Sequence, residues 1–312
     1  MLGRFDYPLR RLGLDHQWFK FRALPTIQKL KWPQGSVAVC LCVPVEYFPL
    51  DSHAPAVRPL GGLDRGYPDF WSYSNRDYGM RLGIYRIMRV LDALNLKATA
   101  QVQSNAAKIY PAAINEIMRR RWEFVAAGLD MGRPHHGGLK DQEESDLFSE
   151  TSSVLRNSVT SPIRGWASPG QIESLHTLDL VSENKFEYVC DWTNDELPYW
   201  IKTTTGKLLS MPSIVELSDR YCMTQLTYTM DDYVQQVRTA FDNLKMEAES
   251  TGCARMLTIS ISPWVTGYPH RIQRFAKLME ALLKSDAAWF ATLGEVADIY
   301  SKTFPYEEVS KR

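Results

Sequence analysis

The chain has 312 residues, of which 45% are hydrophobic and 23% are charged, and its 36 basic residues balance 36 acidic ones. This length can bury one large core. The zero formal charge argues against a dominant nucleic-acid or anionic-membrane partner, because both need a surplus of Lys and Arg. A neutral small molecule fits the composition better.

The sequence predicts neither a membrane span nor a signal peptide. Its longest apolar run, Val37–Val43, is far short of the roughly 20 residues that a membrane helix needs, and the first residues lack an apolar core. The five cysteines form no metal-type pair, and their odd number argues against a closed disulfide framework. We therefore expect a cytoplasmic protein with reduced thiols, in which Cys40 and Cys42 share one face of a buried strand.

The first part of the chain divides into an arm, a strand and a long loop. Residues 1–35 are rich in Arg, Pro and aromatic residues, and they predict an N-terminal arm that wraps the domain or reaches a neighbouring subunit. The run Val37–Val43 is typical of a buried strand. The loop Pro44–Asn75 comes next, and a structureless loop of this length is usually functional. Its aromatic residues Tyr67, Phe70, Trp71 and Tyr73 predict a subunit interface or a lid over a ligand.

Beyond this loop, strand-like apolar runs alternate with helical segments. Further strands are predicted at Ala98–Val102, Glu123–Ala127, Ile163–Ala167, Tyr188–Asp191, Leu208–Met211, Arg255–Ser262 and Trp289–Thr292. Helices are predicted at Tyr78–Leu94, Tyr110–Arg121, Asp141–Asn157, Ser174–Glu183, Asp231–Ser250, His270–Leu283 and Glu295–Ser301. This alternation calls for parallel strands joined by right-handed crossovers. We therefore predict a single α/β domain over residues 36–312, with its sheet closed into a (β/α) barrel.

The unusual polar and aromatic residues fall where the predicted strands end. In barrels of this kind the reacting groups follow the carboxyl ends of the strands. The residues at these positions are, in chain order, Glu46, Asp130, Arg133, His135, His136, Trp166, Asp195, Glu216, Trp264, His270 and Arg271. Their concentration at one rim predicts an active or binding site there.

Six short motifs resemble, in order and spacing, those of the polysaccharide deacetylase (NodB-homology) superfamily. They are Arg76-Asp77-Tyr78-Gly79, Lys97-Ala98-Thr99, Trp122-Glu123-Phe124, Gly165-Trp166-x-x-Pro169, Asp191-Trp192-x-x-Asp195 and Pro263-Trp264-x-x-Gly267-x-Pro269-His270-Arg271. Within the superfamily, the pattern is similar to the branch of allantoinases and cyclic-imide hydrolases. The resemblance implies a deformed (β/α) barrel and hydrolysis of a C–N bond in an amide, imide or ureide.

The resemblance also implies a metal held by one Asp and two His, which would polarise a carbonyl and activate a water. This sequence departs from that pattern. Ala127 and Ser262 stand where relatives have histidines, and the first strand offers only Glu46 where relatives carry paired acids. We therefore expect no metal and no other cofactor, and a chemistry that differs from ordinary deacetylation.

Each candidate also has a plainer interpretation. Glu46 ends a buried strand, where a carboxylate is costly unless it has a charged or hydrogen-bonding partner or a functional role. Asp130 could act as a base or could cap the following turn. His135 and His136 are adjacent, so they point apart and rarely bind one metal, and both could be surface residues of a loop rich in Gly and Pro. Asp195 could instead be a structural residue of the rim.

The remaining rim residues leave similar alternatives open. Glu216 could bind polar groups of a substrate or form a salt bridge in its loop. His270 and Arg271 open a helix, where backbone N–H groups and an Arg suit an anionic oxygen, but they could equally fix the preceding loop.

These residues predict a hydrolase of a small cyclic amide, imide or ureide. Glu46, Asp130 and His136 would transfer protons, and Arg133, His135, Trp166, Asp195, Glu216, Trp264, His270 and Arg271 would bind the substrate. The alternatives are a metal-independent lyase or isomerase at the same rim and a non-catalytic binding or assembly subunit. The expected partners are a small molecule and further copies of the chain, which would form a homo-oligomer.

Overall fold

The computed structural model describes residues 18–20, 22–24, 29–50 and 68–306. Within them, nine strands form one sheet: β1 (Val37–Val45), β2 (Thr99–Val102), β3 (Glu123–Ala126), β4 (Ile163–Trp166), β5 (Tyr188–Val189), β6 (Tyr199–Lys202), β7 (Lys207–Ser210), β8 (Arg255–Ser260) and β9 (Ala288–Ala291). The parallel central sheet carries helices between its strands, as the predicted α/β class requires.

The helices of the described residues are α1 (Phe70–Tyr78), α2 (Ile84–Ala93), α3 (Ser104–Ile109), α4 (Pro111–Arg119), α5 (Asp141–Ser158), α6 (Thr177–Glu183), α7 (Asp219–Thr224), α8 (Met230–Thr251), α9 (Pro263–Thr266), α10 (Pro269–Leu283) and α11 (Leu293–Thr303). A π-helical turn, Gly79–Gly83, joins α1 to α2, and 3-10 turns lie at Pro169–Gln171 and Val215–Leu217. No helix in the described ranges is long and apolar enough to cross a membrane.

Strand β1 lies at the centre of the sheet. Residues 37–42 pair with β8 along one edge of the strand. On the opposite edge, residues 37–40 pair with β9 and residues 42–45 pair with β2. All of these pairings are parallel, and β1 has neighbours on both sides at residues 37–40 and 42.

The side chains of β1 alternate between two apolar clusters, as the two-residue period of a strand requires. Val37, Val39 and Leu41 belong to the larger cluster, which also contains the apolar faces of the helices. Cys40 and Cys42 belong to the smaller one and are almost fully buried. The prediction that these two cysteines share a buried face is therefore confirmed, and all five cysteines are unpaired and buried.

The sheet does not close into a barrel, which corrects the prediction of a closed one. The strand order is β6-β7-β5-β4-β3-β2-β1-β8, with β9 beside β1. Strand β6 pairs antiparallel with β7 and takes the edge that β8 would need. The gap is spanned instead by the segment after β7, where Thr258 donates its hydroxyl to the carbonyl of Pro212 at 2.8 Å and Ser218 forms a single bridge with Ser260.

The long loop predicted at Pro44–Asn75 is only partly a loop. Residues 70–75 begin α1, where the Asp69 carboxylate accepts from the backbone N–H of Ser72. Tyr67 lies outside the described residues. Phe70 and Trp71 are exposed, at 63% and 37%. The homo-oligomer stays a prediction.

The described part of the predicted arm packs on the domain. Phe19 lies edge-on against Tyr199, with 5.1 Å between ring centroids. Arg22 forms an ion pair with Asp195 at 2.8 Å. Trp32 is buried and donates its indole N–H to the carbonyl of Arg255. These contacts fit the interpretation in which the arm wraps the domain.

Candidate functional site

A cavity of about 740 Å³ lies at the carboxyl ends of the parallel strands. Residues at or just beyond the ends of successive strands line it, among them Glu46 after β1, Gln103 after β2, Ala127 after β3 and Cys190 after β5. This is the end of the sheet at which barrel enzymes carry their reacting groups. The predicted rim therefore contains an enclosed space large enough for a small molecule.

Glu46 is held in the cavity wall by two donors. Arg220 Nη1 lies 2.9 Å from Glu46 Oε1, and Trp264 Nε1 lies 3.3 Å from Glu46 Oε2. The Glu46 side chain is 10% exposed and that of Arg220 is 33% exposed. The carboxylate is thus fixed in one orientation, while its unused lone pairs can still accept.

Arg76 brings a second guanidinium to the same wall. Its Cζ lies 4.3 Å from the ring centroid of Phe48 and 5.9 Å from that of Trp264, in cation–π geometry. Burial lowers the pKa of Arg76, the Glu46 carboxylate opposes that effect, and Arg220 adds to it. Two guanidinium groups therefore share this wall with one carboxylate.

His136 lines the cavity from the loop after β3, and its side chain is exposed. Its Nδ1 accepts from the backbone N–H of Gly138 at 3.1 Å. An accepting Nδ1 assigns the proton of the neutral ring to Nε2. His136 can therefore offer an N–H donor to a molecule in the cavity.

Asp130 is buried but does not line the cavity. Its Oδ1 accepts from the backbone N–H of Gly132 at 2.9 Å, and its Oδ2 accepts from Asn105 and from Arg133 at 2.7 and 2.9 Å. Both oxygens are thus used to hold the loop after β3. This geometry agrees with the turn-capping interpretation of Asp130, and it directs Arg133 toward Asp130 rather than toward the cavity.

His135 is fully buried beside its exposed neighbour. Its Nδ1 lies 3.1 Å from Oε1 of Glu144, and its ring packs against Phe148 and Trp166. Burial alone would raise the pKa of Glu144, but hydrogen bonds from His135, Ser174 and Thr177 lower it overall. The backbone sends adjacent histidines to opposite sides, as expected for extended residues.

Two acids lie behind the cavity wall, the buried Asp191 and the half-buried Glu173. Asp191 Oδ1 accepts from the backbone N–H of Ser168 at 2.8 Å, and Ser168 lines the cavity. Glu173 accepts from Trp192 Nε1 at 2.9 Å. Burial raises the pKa of both acids, and the charge of Asp191 raises that of Glu173 further. Asp191 thus positions a wall segment and does not itself reach the cavity.

Another buried acid, Asp219, fixes the segment that follows β8. Both of its oxygens accept from the backbone N–H of Ser262, at 2.9 and 3.0 Å, and Oδ2 also accepts from the Thr266 hydroxyl at 2.7 Å. Burial raises the pKa of Asp219 to about 6, although these hydrogen bonds oppose the rise. This segment carries Trp264, and Arg220 directly follows Asp219, so both donors to Glu46 depend on it.

The other predicted substrate-binding residues lie outside the cavity lining. Trp166 is fully buried and stacks on Phe148 at 4.1 Å. Asp195 pairs with Arg22, and Glu216 is exposed. His270 is exposed beside Tyr268, while Arg271 donates to the carbonyl of Val265 at 2.9 Å and so fixes the preceding loop. The structure therefore brings together Glu46, His136 and Trp264 from the predicted set.

The side chains at the rim do not fit the metal that the resemblance implies. Ala127 and Ser262 both line the cavity, at the two positions where relatives have histidines, and Glu46 is tied to Arg220 and Trp264. In the described part of the chain, no three His, Cys, Asp or Glu side chains converge as a metal site. No chemical step is therefore assigned to a metal here.

Several lining residues were not among the predicted site residues. Arg76 belongs to the motif Arg76-Asp77-Tyr78-Gly79, and Arg220 lies between the predicted strand Leu208–Met211 and the predicted helix Asp231–Ser250, where the sequence predicts no element. Gln101 and Gln103 add amide groups at the end of β2, and Gln103 Oε1 accepts from the backbone N–H of Tyr47 at 2.8 Å. The alternation of side chains along β2 is the signal that places both Gln residues on one face.

No family model matches the sequence. A Schizosaccharomyces pombe protein that carries the provisional name polysaccharide deacetylase is 25% identical over 254 residues, which cover 74% of this chain and 76% of that protein.

Solved structures of similar fold extend over most of the chain. The PuuE allantoinase is 22% identical, with a TM-score of 0.79 over 88% of this chain and 94% of its own. A protein from Pseudomonas aeruginosa PAO1, provisionally named polysaccharide deacetylase, is 20% identical, with a TM-score of 0.79 over 88% and 95% of the two chains. These structures share the deformed barrel, with the same arrangement of sheet and helices.

Proposed function

We propose that the chain is a hydrolase that cleaves a C–N bond of a small cyclic amide, imide or ureide without a metal centre, because it is similar in sequence to a polysaccharide deacetylase and in fold to an allantoinase. The observation that supports this proposal is the cavity at the strand ends, in which Glu46 and His136 face one enclosed space. Its volume of about 740 Å³ suits a small ring compound. Gln101 and the serines of the wall offer hydrogen bonds that amide or ureide groups can use.

Glu46 would act as the general base of this reaction. Arg220 and Trp264 hold its carboxylate in one orientation, so a water bound to its remaining lone pairs would be aimed into the cavity. The oxygen of this water attacks the substrate carbonyl carbon while its proton passes to Glu46. The contribution of Glu46 would come mainly from this positioning of the water.

His136 would assist the breakdown of the tetrahedral intermediate as a hydrogen-bond donor, through the proton that its neutral ring carries on Nε2. When the intermediate collapses, the C–N bond breaks and the leaving nitrogen takes the proton that Glu46 accepted from the water. The products are a carboxylic acid and an amine, amide or urea nitrogen, and Glu46 is again a carboxylate. The cycle therefore closes with no change in the net charge of the site.

The guanidinium group of Arg76 would take the place of a Lewis acid. The carbonyl oxygen gains negative charge in the transition state, and fixed positive groups in a partly buried site stabilise such charge. Arg76 Cζ lies 4.3 Å from the Phe48 ring centroid, and this cation–π contact would help to position the guanidinium before a substrate arrives.

A non-catalytic binding protein is the second candidate, and one observation favours it. The Glu46 carboxylate already has a charged partner at 2.9 Å, which is the arrangement of a structural ion pair as well as of a positioned base. Such a protein would bind the same small molecules in the same cavity without converting them.

The test is a turnover screen of cyclic amides, imides and ureides with the full chain and with Glu46→Gln. This change keeps shape and removes basicity, so turnover of any substrate found should fall by about 10²- to 10⁴-fold. Glu216→Gln is the matched control, because Glu216 lies at the same rim but is exposed and outside the cavity lining. The control should keep the activity of the unchanged chain.

Two results would contradict the proposal. Ligands that raise the melting temperature without being converted would favour the binding protein. Elemental analysis that finds about one transition metal per chain, lost together with activity in Glu46→Gln, would mean that other residues had been recruited as ligands.

A further inference from the structure

Guanidinium groups outnumber carboxylates among the described residues that line the cavity. The Asp or Glu there is Glu46, whereas two residues, Arg76 and Arg220, carry a guanidinium group. Asp69 acts on Arg76 electrostatically, but it caps α1 and does not line the cavity.

Only part of the Arg220 guanidinium is engaged by side chains in the described part of the chain. Its Nη1 binds Glu46 Oε1 at 2.9 Å, and the described residues supply no second partner for its guanidinium. The side chain is 33% exposed, and it lines the cavity together with Tyr221 and Thr224 from the same helix. The rest of the guanidinium fork therefore faces the space that a ligand would occupy, in the planar geometry that matches a carboxylate.

The surrounding walls set the shape of such a ligand. Phe48 and Trp264 form an apolar side of the cavity, with 6.2 Å between their ring centroids and 82° between their ring planes, and Arg76 lies over the Phe48 ring. A ligand with one planar ring and one anionic group would place its ring against these aromatic side chains and its charge beside Arg220.

We propose that the cavity recognises a small amide, imide or ureide that also carries a carboxylate, and that Arg220 is the residue that binds this carboxylate, with Arg76 as the second positive charge. The inference rests on the proposed function, whose substrate class it narrows. The bound carboxylate would lie beside Glu46 as a second acid near the two guanidinium groups of the wall. The reacting carbonyl would then lie toward Glu46, because Arg220 contacts both the ligand and that acid.

The experiment compares two probes of equal shape by isothermal titration calorimetry at neutral pH. One is hydantoin-5-acetate, which carries a carboxylate, and the other is hydantoin-5-acetamide, which is neutral. We expect the full-length chain to bind the acetate probe about tenfold more tightly than the amide probe, the effect of one partly buried charged contact. In Arg220→Gln this preference should fall to about one, while the amide probe still binds and thereby reports an intact cavity.

Three further variants sharpen the comparison. Arg220→Lys keeps the charge but loses the planar fork, so the preference should be intermediate. Glu46→Gln removes the acid that competes for Arg220, so the preference should rise above that of the unchanged chain. Arg238→Gln, on the exposed face of α8, is the matched control and should leave the preference unchanged.

The proposal is overturned if the unchanged chain binds the two probes equally, if the preference survives in Arg220→Gln, or if neither probe binds at millimolar concentration. Its failure is distinct from failure of the proposed function, which is read by turnover. Hydrolysis of neutral rings that depends on Glu46, combined with equal binding of the two probes, would retain the hydrolase and remove the carboxylate site. An Arg220-dependent preference for the acetate probe without any turnover would retain the carboxylate site and remove the hydrolase.

Discussion

Asp219 is a buried acid whose protonation affects the stability of the fold. Burial raises its pKa from 3.8 to about 6, against the hydrogen bonds from Ser262 and Thr266. Because the raised pKa favours the protonated form in the folded state, the stabilisation from this group is fully present below about pH 4. It is lost as the pH rises through about 6, where the folded state ionises too.

We therefore expect the stability difference between the unchanged chain and Asp219→Asn to depend on pH. The asparagine cannot titrate, so the variant lacks this contribution, and the difference should shrink by about 3 kcal/mol between roughly pH 4 and pH 7. Urea denaturation over this pH range measures it. Asp231→Asn, at an exposed acid of α8, should show no such change. A difference for Asp219→Asn that stays constant with pH would contradict the raised pKa.

The sequence indicated the rim but not which rim residues face the cavity. Glu46 and Trp264 follow strands directly, so their positions could be predicted from the strand ends. His135 and His136 are neighbours in a loop, and no periodicity of the sequence decides which of the two is buried. Arg220 could not be found in this way, because its role depends on a contact with Glu46, 174 positions away in the chain.

At the scale of elements, the π-helical turn Gly79–Gly83 is packed directly against α9. A Cβ atom on Gly83 would lie 2.1 Å from the carbonyl oxygen of Pro263, and one on Gly79 would lie 2.6 Å from the backbone nitrogen of Trp264. The two glycines are four positions apart, so they form one flat strip along the helical surface. The position of Trp264 in the cavity wall therefore depends on the absence of side chains at these positions.

Gly83→Ala is expected to displace α9, because the neighbour that it meets is backbone and cannot rotate away. The free energy of unfolding should fall by about 1–3 kcal/mol or more, as is typical of overpacked sites. Cavity ligands should bind more weakly as well, since Trp264 moves with α9. Gly137→Ala is the matched control, because an added Cβ there meets no atom within 4 Å. Equal denaturation midpoints for the two variants would contradict this packing argument.

The predicted strands and helices agree with the structure mostly to within a few residues, because their apolar periodicity is strong. The elements that escaped prediction have weak patterns. Helix α1 (FWSYSNRDY) is mostly polar, and its one buried residue is Ser72. Strand β6 is antiparallel and follows β5 within ten residues, so it does not fit the alternation of strand and helix on which the prediction relied.

At the scale of the whole molecule, the open seam of the sheet follows from β6. A strand has two edges, and those of β7 are taken by β5 and β6. The edge of β8 that faces away from β1 therefore contacts the segment from Pro212 to Ser218 instead of a strand. The contacts are the hydrogen bond from Thr258 to Pro212 and the isolated bridge between Ser218 and Ser260. That segment also leads into Asp219 and Arg220, so the part of the chain that spans the seam is the part that builds one wall of the cavity.

The central position of β1 has a consequence for amide hydrogen exchange. Its backbone N–H groups lie between β8 on one edge and β9 and β2 on the other, so they can meet solvent only when the whole sheet comes apart. Their exchange in deuterated water should therefore be the slowest of the chain, and the free energy derived from it should equal that of global unfolding. Strand β6, at the edge of the sheet, should exchange faster through local opening. In a destabilised variant such as Gly83→Ala, the free energy of exchange in β1 should fall by as much as the free energy of global unfolding. Faster exchange in β1 than in β6 would mean that this sheet opens first at its centre.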